Sequence, residues 1–297
     1  MTRLGQSKAS GLPKASTPDC ATAFQKIARH CVARVKAHYG GACAGDAEAV
    51  HQIRVAFTRF RAAVSFFAPM TADAEWRHLK KEIAWLNASL GAARDSDVMV
   101  AYSRRKRYRA WVQRRTGQGL DKRQARDRRR LARCLDSRRF QGLIEAIAGW
   151  IERGPWLRRW ERNRRGKPAR PLKAYCEREL NRWRRRLIRK CRHVETLRAS
   201  RRHRVRIRTK RFRYMLEALT DIVPLRDRDQ FRHVHGPAKR LQRVLGDLRD
   251  LQRLARLGAS AEDGSAGKDP PHYRRQRKKL LREAVEACRR LKRAGAC

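Results

Sequence analysis

Acidic residues are scarce in this sequence of 297 residues. Asp and Glu together number 28 against 76 Lys and Arg, so the formal net charge is +48. Self-repulsion on this scale destabilises a compact chain unless an anion lies close to it. The imbalance excludes an ordinary soluble enzyme with balanced charge and indicates a strongly acidic partner.

Long apolar runs and cysteine pairs are also missing. No apolar run approaches the roughly 20 residues that span a bilayer, and the N-terminus lacks the hydrophobic segment of a secretory signal. None of the eight cysteines forms a Cys-x-x-Cys pair, so zinc-ribbon and thioredoxin-type sites have no support. We therefore expect a soluble cytoplasmic protein with reduced thiols. We expect no metal, no cofactor and no membrane partner.

The sequence shows almost no strand-like alternation of apolar and polar residues. In most long segments the apolar residues have helical spacing instead. From Val50 to Phe67 apolar residues recur at every third or fourth position. Similar stripes cover 19–39, 72–108, 123–151, 172–192, 196–220, 228–257 and 272–294. Such lengths with short connections are typical of antiparallel helical bundles. We predict an all-α protein with a flexible N-terminal arm (1–18), a four-helix bundle (19–153), a basic linker (154–171) and a second four-helix bundle (172–297).

The two predicted bundles share an internal repeat. Segment 51–61, HQIRVAFTRFR, aligns with segment 203–213, HRVRIRTKRFR, so that a His, three Arg and a Phe coincide. Further along, Leu-Gly-x-x-Arg-Asp occurs at 90–95 and again at 245–250. Basic composition alone does not align His, Phe, Leu-Gly and Arg-Asp in one order. The sequence is therefore interpreted as a duplicated unit, with one copy in each bundle.

Each copy of the repeat places cations on one face of a helix. At 100° per residue, four polar positions of each copy fall within about 80° of arc, opposite the apolar stripe. They are His51, Arg54, Thr58 and Arg61 in the first copy, and His203, Arg206, Lys210 and Arg213 in the second. Like charges three or four residues apart repel one another, so we expect an anion along this face. The alternative is a solvated basic face, but its occurrence in both copies favours a binding role.

These motifs resemble the CHAD family, the conserved-histidine α-helical domain, over about residues 20–295. The resemblance implies two four-helix bundles related by pseudo-two-fold symmetry, with a basic groove or pore between them. It further implies binding of inorganic polyphosphate without catalysis, and attachment to polyphosphate granules. Thr58 departs from the family pattern, where a cation is usual, so the two halves need not bind equally. The binding residues that it implies are His51, Arg54, Arg59, Arg61, His203, Arg206, Lys210, Arg211 and Arg213.

Other residues extend or limit this hypothesis. Lys80 and Lys239 lie on the third predicted helix of each bundle and are candidates to line the same groove. Asp95 and Asp250 are interpreted as partners that orient arginines rather than as catalytic carboxylates. The tryptophans are interpreted mainly as bundle core, and oligomeric state is left open.

Two other functions remain as alternatives. A protein with a pI near 11.6 binds RNA or DNA nonspecifically at low salt, although no motif for specific recognition is visible. A triphosphatase of the CYTH type, which can accompany CHAD domains, would need an ExExK motif. Here Glu177 and Glu179 are followed by Asn181, so the lysine is missing.

Overall fold

The computed structural model describes residues 18–104, 119–165, 171–220, 222, 228–257 and 271–295. All secondary structure in these ranges is helical. The helices in chain order are α1 (Cys20–Ala37), α2 (Tyr39–Cys43), α3 (Ala47–Phe66), α4 (Ala68–Thr71), α5 (Ala74–Ser103), α6 (Gly119–Leu135), α7 (Arg138–Arg153), α8 (Pro155–Arg164), α9 (Leu172–Cys191), α10 (Ala199–Thr220), α11 (Arg228–Leu257) and α12 (Pro271–Arg293).

Acidic N-caps begin three helices in the first part of the chain, α1, α3 and α5. The carboxylate of Asp19 accepts from the backbone N–H of Thr22 at 2.8 Å, and Asp46 caps α3 in the same way. Asp73 caps α5 and also accepts from the indole N–H of Trp150, at 3.1 Å. An acidic cap satisfies free backbone donors and suits the positive end of the helix dipole. Few as they are, these carboxylates therefore fix where helices start.

The apolar stripes predicted for α3 and α10 are buried. In α3 the whole predicted series from Val50 to Phe67 is buried, and in α10 so are Val205, Phe212, Leu216 and Leu219. Around α3, the rings of Phe24, Phe60, Trp150 and Trp156 meet mainly edge to face, with centroids 5.1–6.2 Å apart. Such aromatic contacts add to the stabilisation that burial itself supplies.

Two groups of helices pack among themselves and meet through α3 and α10. In the first group α1 contacts α3 and α7, while α5 contacts α3, α6 and α7; in the second, α9 contacts α10 and α12, while α11 contacts α10 and α12. The contact between α3 and α10 brings the two copies of the sequence repeat side by side. The pseudo-two-fold relation between the groups stays a prediction.

The predicted helix 123–151 is two helices in the structure. The chain breaks at Ser137, whose hydroxyl accepts from the N–H of Phe140 at 3.2 Å and starts α7. Among the residues that the structure describes, the first group therefore has five long helices where four were predicted. The second group has the four predicted helices, close to their predicted ends.

The predicted linker 154–171 contains a packed helix, α8. Pro155 occupies its first turn, and the fully buried Trp156 donates its indole N–H to the carbonyl of Trp150 at 2.8 Å. Arg159 donates to the carbonyls of Met70 and Ala72. This part of the segment is thus fixed to the first group, contrary to the expectation of a simple linker. The predicted arm lies outside the described residues except for Pro18.

Candidate functional site

The basic faces of the two repeat copies, on α3 and α10, meet near Arg54 of α3. Its Nη1 donates to the carbonyl oxygen of Leu90 on α5 at 2.8 Å. Burial lowers the pKa of this guanidinium, and the nearby Arg249, Arg94 and Arg253 lower it further, while Asp95 opposes them. Burial disfavours a charged group, and neighbouring like charges add to the cost. Arg54 is therefore a desolvated cation among other cations.

The facing helix α10 supplies Arg206 and Lys210. Burial, with help from Arg249 and Arg54, lowers the pKa of Arg206 to about 10. Burial next to Arg206, Arg54, Arg213 and Arg249 lowers the pKa of Lys210 to about 7. These mutual effects show that Arg54, Arg206, Lys210 and Arg249 lie within electrostatic range of one another. We call these four residues the central cluster.

Sequence reasoning proposed Lys239 of α11 for the groove but did not propose Arg249 and Arg253 of the same helix. Arg249 lies in the second Leu-Gly-x-x-Arg-Asp motif, and Arg253 follows four residues later on the same helix face. Both lie near Arg54 and Arg206 and lower their pKa values. The sequence feature that could have identified Arg253 is its four-residue spacing from Arg249, which extends the cationic face of α11 by one turn.

Two carboxylates, Asp95 and Asp250, lie beside the central cluster. Asp95 on α5 binds both terminal nitrogens of Arg253 on α11, so this bidentate ion pair joins the two groups of helices. The interpretation of Asp95 as a partner of arginine is therefore confirmed. Burial raises the pKa of Asp250, although Arg253, Arg206 and Arg249 oppose that shift. The cations around these two carboxylates outnumber them.

The two repeat histidines lie near different members of the central cluster: His51 near Arg54 and Lys210, and His203 near Arg206 and Arg249. Both are half-buried, and burial is the largest cause that lowers the pKa of each. Arg94 lowers it further at His51, and Arg249 does so at His203. His203 Nδ1 and Arg206 Nε are buried and have no hydrogen-bond partner among the residues that the structure describes. His203 also lines a cavity of about 290 Å³ together with Arg202, Arg249 and Arg253.

Arg61 and Arg211 form a separate pair of cations between α3 and α10. Burial lowers both pKa values, and Arg61 and Arg208 contribute to the shift at Arg211. Arg61 lies about two turns beyond Arg54 on α3, and Arg211 directly follows Lys210 on α10.

Arg59 and Arg213 are held by a carboxylate. Glu217 on α10 accepts from Arg59 Nη2 of α3 at 3.1 Å and from Arg213 Nη1, and it lies 2.9 Å from His235 Nε2 of α11. Arg213 also donates to the side chain of Gln242 on α11 at 2.9 Å. The guanidinium groups of Arg59 and Arg213 lie 5.1 and 4.6 Å, respectively, from the centroid of the Tyr214 ring. This arrangement ties three helices together beside the central cluster.

Lys80 and Lys239 differ from the buried cations in their exposure. Lys80 on α5 and Lys239 on α11 are both exposed. Thr58 donates its hydroxyl to the carbonyl of Arg54 at 2.7 Å within its own helix. It therefore supplies no cation where the second copy has Lys210.

The chemistry available here is donation to anions. Guanidinium and ammonium groups donate several hydrogen bonds each, and arginine binds oxyanions bidentately. In the described part of the chain, no three His, Cys, Asp or Glu side chains group as metal ligands. Glu179, which the triphosphatase alternative would need, is buried and accepts from the indole of Trp183 at 2.9 Å and from Arg182. It has a structural role in α9.

The described residues therefore define an all-helical protein that gathers cations from facing helices at one partly buried place. Comparison with protein-family models matches residues 26–259 to the CHAD domain. The chain belongs to the CHAD family, as its motifs predicted.

Two solved structures share the fold. The crystal structure of the CHAD domain from the plant Ricinus communis is 22% identical, with 98% of this chain and 96% of that chain covered and a TM-score of 0.70. PptA from Streptomyces chartreusis is 16% identical, with 93% and 99% covered and a TM-score of 0.58. The comparison with curated proteins gives no match. No helix in the described ranges is long and apolar enough to cross a membrane.

Proposed function

We propose that this protein binds inorganic polyphosphate at the central cluster and catalyses no reaction of its own. One observation carries the proposal: Arg54, Arg206, Lys210 and Arg249 are desolvated beside one another, and Asp95 and Asp250 are too few to balance them. Burying unpaired like charges costs free energy. A bound polyanion removes that cost, because its oxygens pair with the cations.

A phosphate polymer suits the surroundings of this cluster. It carries about one charge per phosphate and has no bases, so it needs cations rather than aromatic platforms. The nearby ring of Tyr214 has the guanidinium of Arg213 at 4.6 Å and that of Arg59 at 5.1 Å. Such a ring is not free to stack on a base, which is the usual anchor of single-stranded nucleic acid.

The wider setting of the proposal follows the family resemblance. The two copies of the repeat form halves related by pseudo-two-fold symmetry, with the basic groove between them at α3 and α10. The protein is cytoplasmic and associates with polyphosphate granules. Arg61 and Arg211 add a second point of contact for a chain that leaves the central cluster.

Nonspecific binding of nucleic acid is the second candidate, because exposed cations also cover outer helices. On α12 these include Arg274, Arg275, Lys278 and Lys279. Such a face attracts any polyanion through counter-ion release. The two candidates differ in where the affinity resides: in the buried cluster or on the outer surface.

A competition titration separates these candidates. Labelled long-chain polyphosphate is bound at about 150 mM salt, where the screening length is about 8 Å, and is challenged with unlabelled RNA or single-stranded DNA. Polyphosphate that is retained against a large excess of nucleic-acid phosphate supports the dedicated site. Easy displacement by RNA would instead support a general polyanion surface.

A pair of triple variants tests where binding occurs. Replacing Arg54, Arg206 and Arg249 by Gln should weaken polyphosphate binding at least tenfold, since each lost charge-assisted contact is worth about 1.5–3 kcal/mol. Replacing the exposed Arg158, Arg162 and Arg165 by Gln removes the same charge and should change affinity much less. Arg159 is unsuitable as a control because it holds α8 to α4. Equal losses would mean that bulk charge carries the affinity.

A further inference from the structure

A cavity of about 290 Å³ lies at the N-terminal end of α10, between α10 and α11. Ala199 and Ser200, the first two residues of α10, line it together with Arg202 of the same turn and Arg249 and Arg253 of α11. We call it the α10 cavity. Its volume is at the lower limit of the roughly 300–1,000 Å³ that ligand pockets occupy. It therefore has room for a small group and not for a folded length of polymer.

Arg202 is a buried cation in the wall of this cavity. The residue is only 7% exposed, although an arginine is rarely so buried unless it is paired. Its Nη1 donates to the carbonyl oxygen of Leu197, just before α10, which holds the side chain in place. Its Nε is buried and has no hydrogen-bond partner among the described residues. A buried donor without an acceptor costs free energy, so binding of an acceptor here is favourable.

The start of α10 also differs from the acid-capped starts of α1, α3 and α5. Arg198 precedes it, and its first turn contains no acidic residue. The N–H of Arg202 donates to the carbonyl oxygen of Arg198 at 3.0 Å, and the N–H groups before it have no partner within the helix. They lie at the positive end of the helix dipole, where phosphate groups bind to helices. Because Ala199 and Ser200 line the cavity, these donors lie at its wall.

The remaining polar groups of the wall also suit an anion. His203 lines the cavity, and its Nδ1 is buried without a hydrogen-bond partner in the described part of the chain. Arg253 is held by Asp95, but neither Asp nor Glu is among the described residues that line the cavity. Arg249 belongs to the central cluster as well as to this wall. A phosphate chain that begins in the cavity can therefore continue into the central cluster.

We propose that the α10 cavity binds the terminal phosphate group of a polyphosphate chain, so that the protein recognises chain ends as well as the body of the chain. A terminal phosphate has three oxygens free to accept hydrogen bonds and close to two negative charges at neutral pH. An internal phosphate has two such oxygens and one charge. The start of α10 and the guanidinium of Arg202 supply donors for the additional oxygen.

The size of the cavity favours the same choice. An internal phosphate must bring both of its neighbours into the cavity, whereas a terminal phosphate brings only one. This inference rests on the proposed function, since the rest of the chain lies along the central cluster.

The test compares two polyphosphates of one defined length. One has free ends, and in the other both terminal groups are coupled to a small neutral amine. Each coupled end loses one oxygen and one charge and so resembles an internal phosphate. The full-length wild type should bind the free-ended chain about tenfold more tightly, as expected for one charge-assisted contact. Arg54→Gln, outside the cavity, should weaken binding of both chains by the same factor and keep this ratio.

Ser200→Glu is the decisive variant, because it places a carboxylate at the cavity wall. It should reduce the preference for free ends to about one. Its Tm should not fall, because a carboxylate in the first turn of a helix suits the helix dipole. Arg201→Gln is the matched control: it removes one charge from the same turn, at an exposed residue that does not line the cavity, and should keep the preference. Arg202→Gln should lose the preference as Ser200→Glu does.

Three results would overturn the proposal while leaving polyphosphate binding intact. One is equal affinity of the wild type for both chains. Another is a preference for free ends that persists in Ser200→Glu. The third is no preference together with binding of inorganic orthophosphate that Ser200→Glu abolishes, which would assign the cavity to free phosphate. If the wild type binds neither chain, the proposed function itself is wrong and the chain-end site fails with it.

Discussion

Lys210 shows most directly what burial among cations does to a single residue. Its ammonium group lies within electrostatic range of Arg54 of α3, Arg206 and Arg213 of its own helix, and Arg249 of α11. It also lies 5.6 Å from the centre of the Tyr214 ring. Burial and these cations bring its pKa to about 7. At neutral pH the residue is therefore divided between its charged and neutral forms.

Polyphosphate affinity should fall as pH rises through neutrality. A bound polyanion favours the charged form of Lys210, so above pH 7 binding must be accompanied by proton uptake. For one such group, the apparent affinity weakens about tenfold between pH 6 and pH 8. His51 and His203, whose pKa values are also lowered, take up protons on binding and add to the slope. The measurement is a series of binding isotherms at constant salt.

The variant Lys210→Arg is the matched control for this pH dependence. Arginine keeps its charge throughout the range, so the profile should become flatter, and affinity at pH 8 should exceed that of the wild type. The variants His51→Asn and His203→Asn then measure how much of the remaining pH dependence of affinity comes from the two histidines. An unchanged profile in Lys210→Arg would show that this amine does not titrate with binding.

The same residue makes the stability of the free protein depend on pH. In the unfolded chain a lysine has a pKa near 10.4, whereas the folded value is about 7. Between these values the unfolded state binds more protons, so the free energy of unfolding should rise with pH, by up to about 1.4 kcal/mol per pH unit. Lys210→Met should remove most of this rise between pH 7 and 9 in denaturant titrations without ligand. Parallel curves for the two proteins would contradict the shift.

At the scale of elements, carboxylates join the two helical groups beside the repelling cations. Arg253 of α11 binds Asp95 of α5, and Arg59 of α3 binds Glu217 of α10. Each bridge offsets part of the repulsion across the contact between α3 and α10. If polyphosphate binds at the proposed site, Asp95 must compete with its phosphate oxygens for the guanidinium of Arg253.

Replacing Asp95 by Asn should therefore raise affinity and lower stability. The change releases Arg253 and removes a negative charge from the site, so polyphosphate should bind several-fold more tightly. Loss of a partly exposed ion pair should cost about 1 kcal/mol of folding stability. Asp121→Asn, an exposed position on α6, makes the same change in charge and should affect neither quantity much. Weaker binding by Asp95→Asn would show instead that Asp95 positions Arg253 for the ligand.

Helix positions were predictable from sequence where an apolar stripe faces the core. Val50 to Phe67 and Val205 to Leu219 gave α3 and α10 correctly because burial requires that spacing. The break at Ser137 was not predicted, since the apolar pattern continues across it. Helix α8 was missed because its arginines resemble a polar linker, while the burial of Trp156 depends on distant rings such as Phe24.

The site was predictable only in part, for a similar reason. The repeat identified Arg54, Arg206 and Lys210, because their spacing on one face is a local property. How the helices cross decides the rest of the site. It determines that Arg59 and Arg213 bind Glu217 and that Arg253 of α11 lies near Arg54. Periodicity along one helix carries no information about its neighbour.

At the scale of the whole molecule, the net charge of +48 opposes folding everywhere, while the central cluster concentrates that repulsion in one place. Salt acts on the first effect by screening, because the Debye length falls from about 30 Å at 0.01 M to about 8 Å at 0.15 M. A specific ligand acts on the second by binding the folded state alone. The two effects can therefore be separated by thermal unfolding.

Salt should raise the Tm of the wild type and of the Arg54, Arg206 and Arg249 to Gln triple variant alike, since screening acts on the whole surface. Polyphosphate at moderate salt should raise the Tm of the wild type further. At a ligand concentration of about 100 times Kd the added stability is about 2.7 kcal/mol. The triple variant should lose most of this second increment and keep the first, whereas the Arg158, Arg162 and Arg165 to Gln control should keep both. Loss of both increments in the triple variant would show that its fold, and not its ligand site, was damaged. Retention of both would place polyphosphate on the outer surface, since the buried cations would then contribute nothing that bulk charge does not.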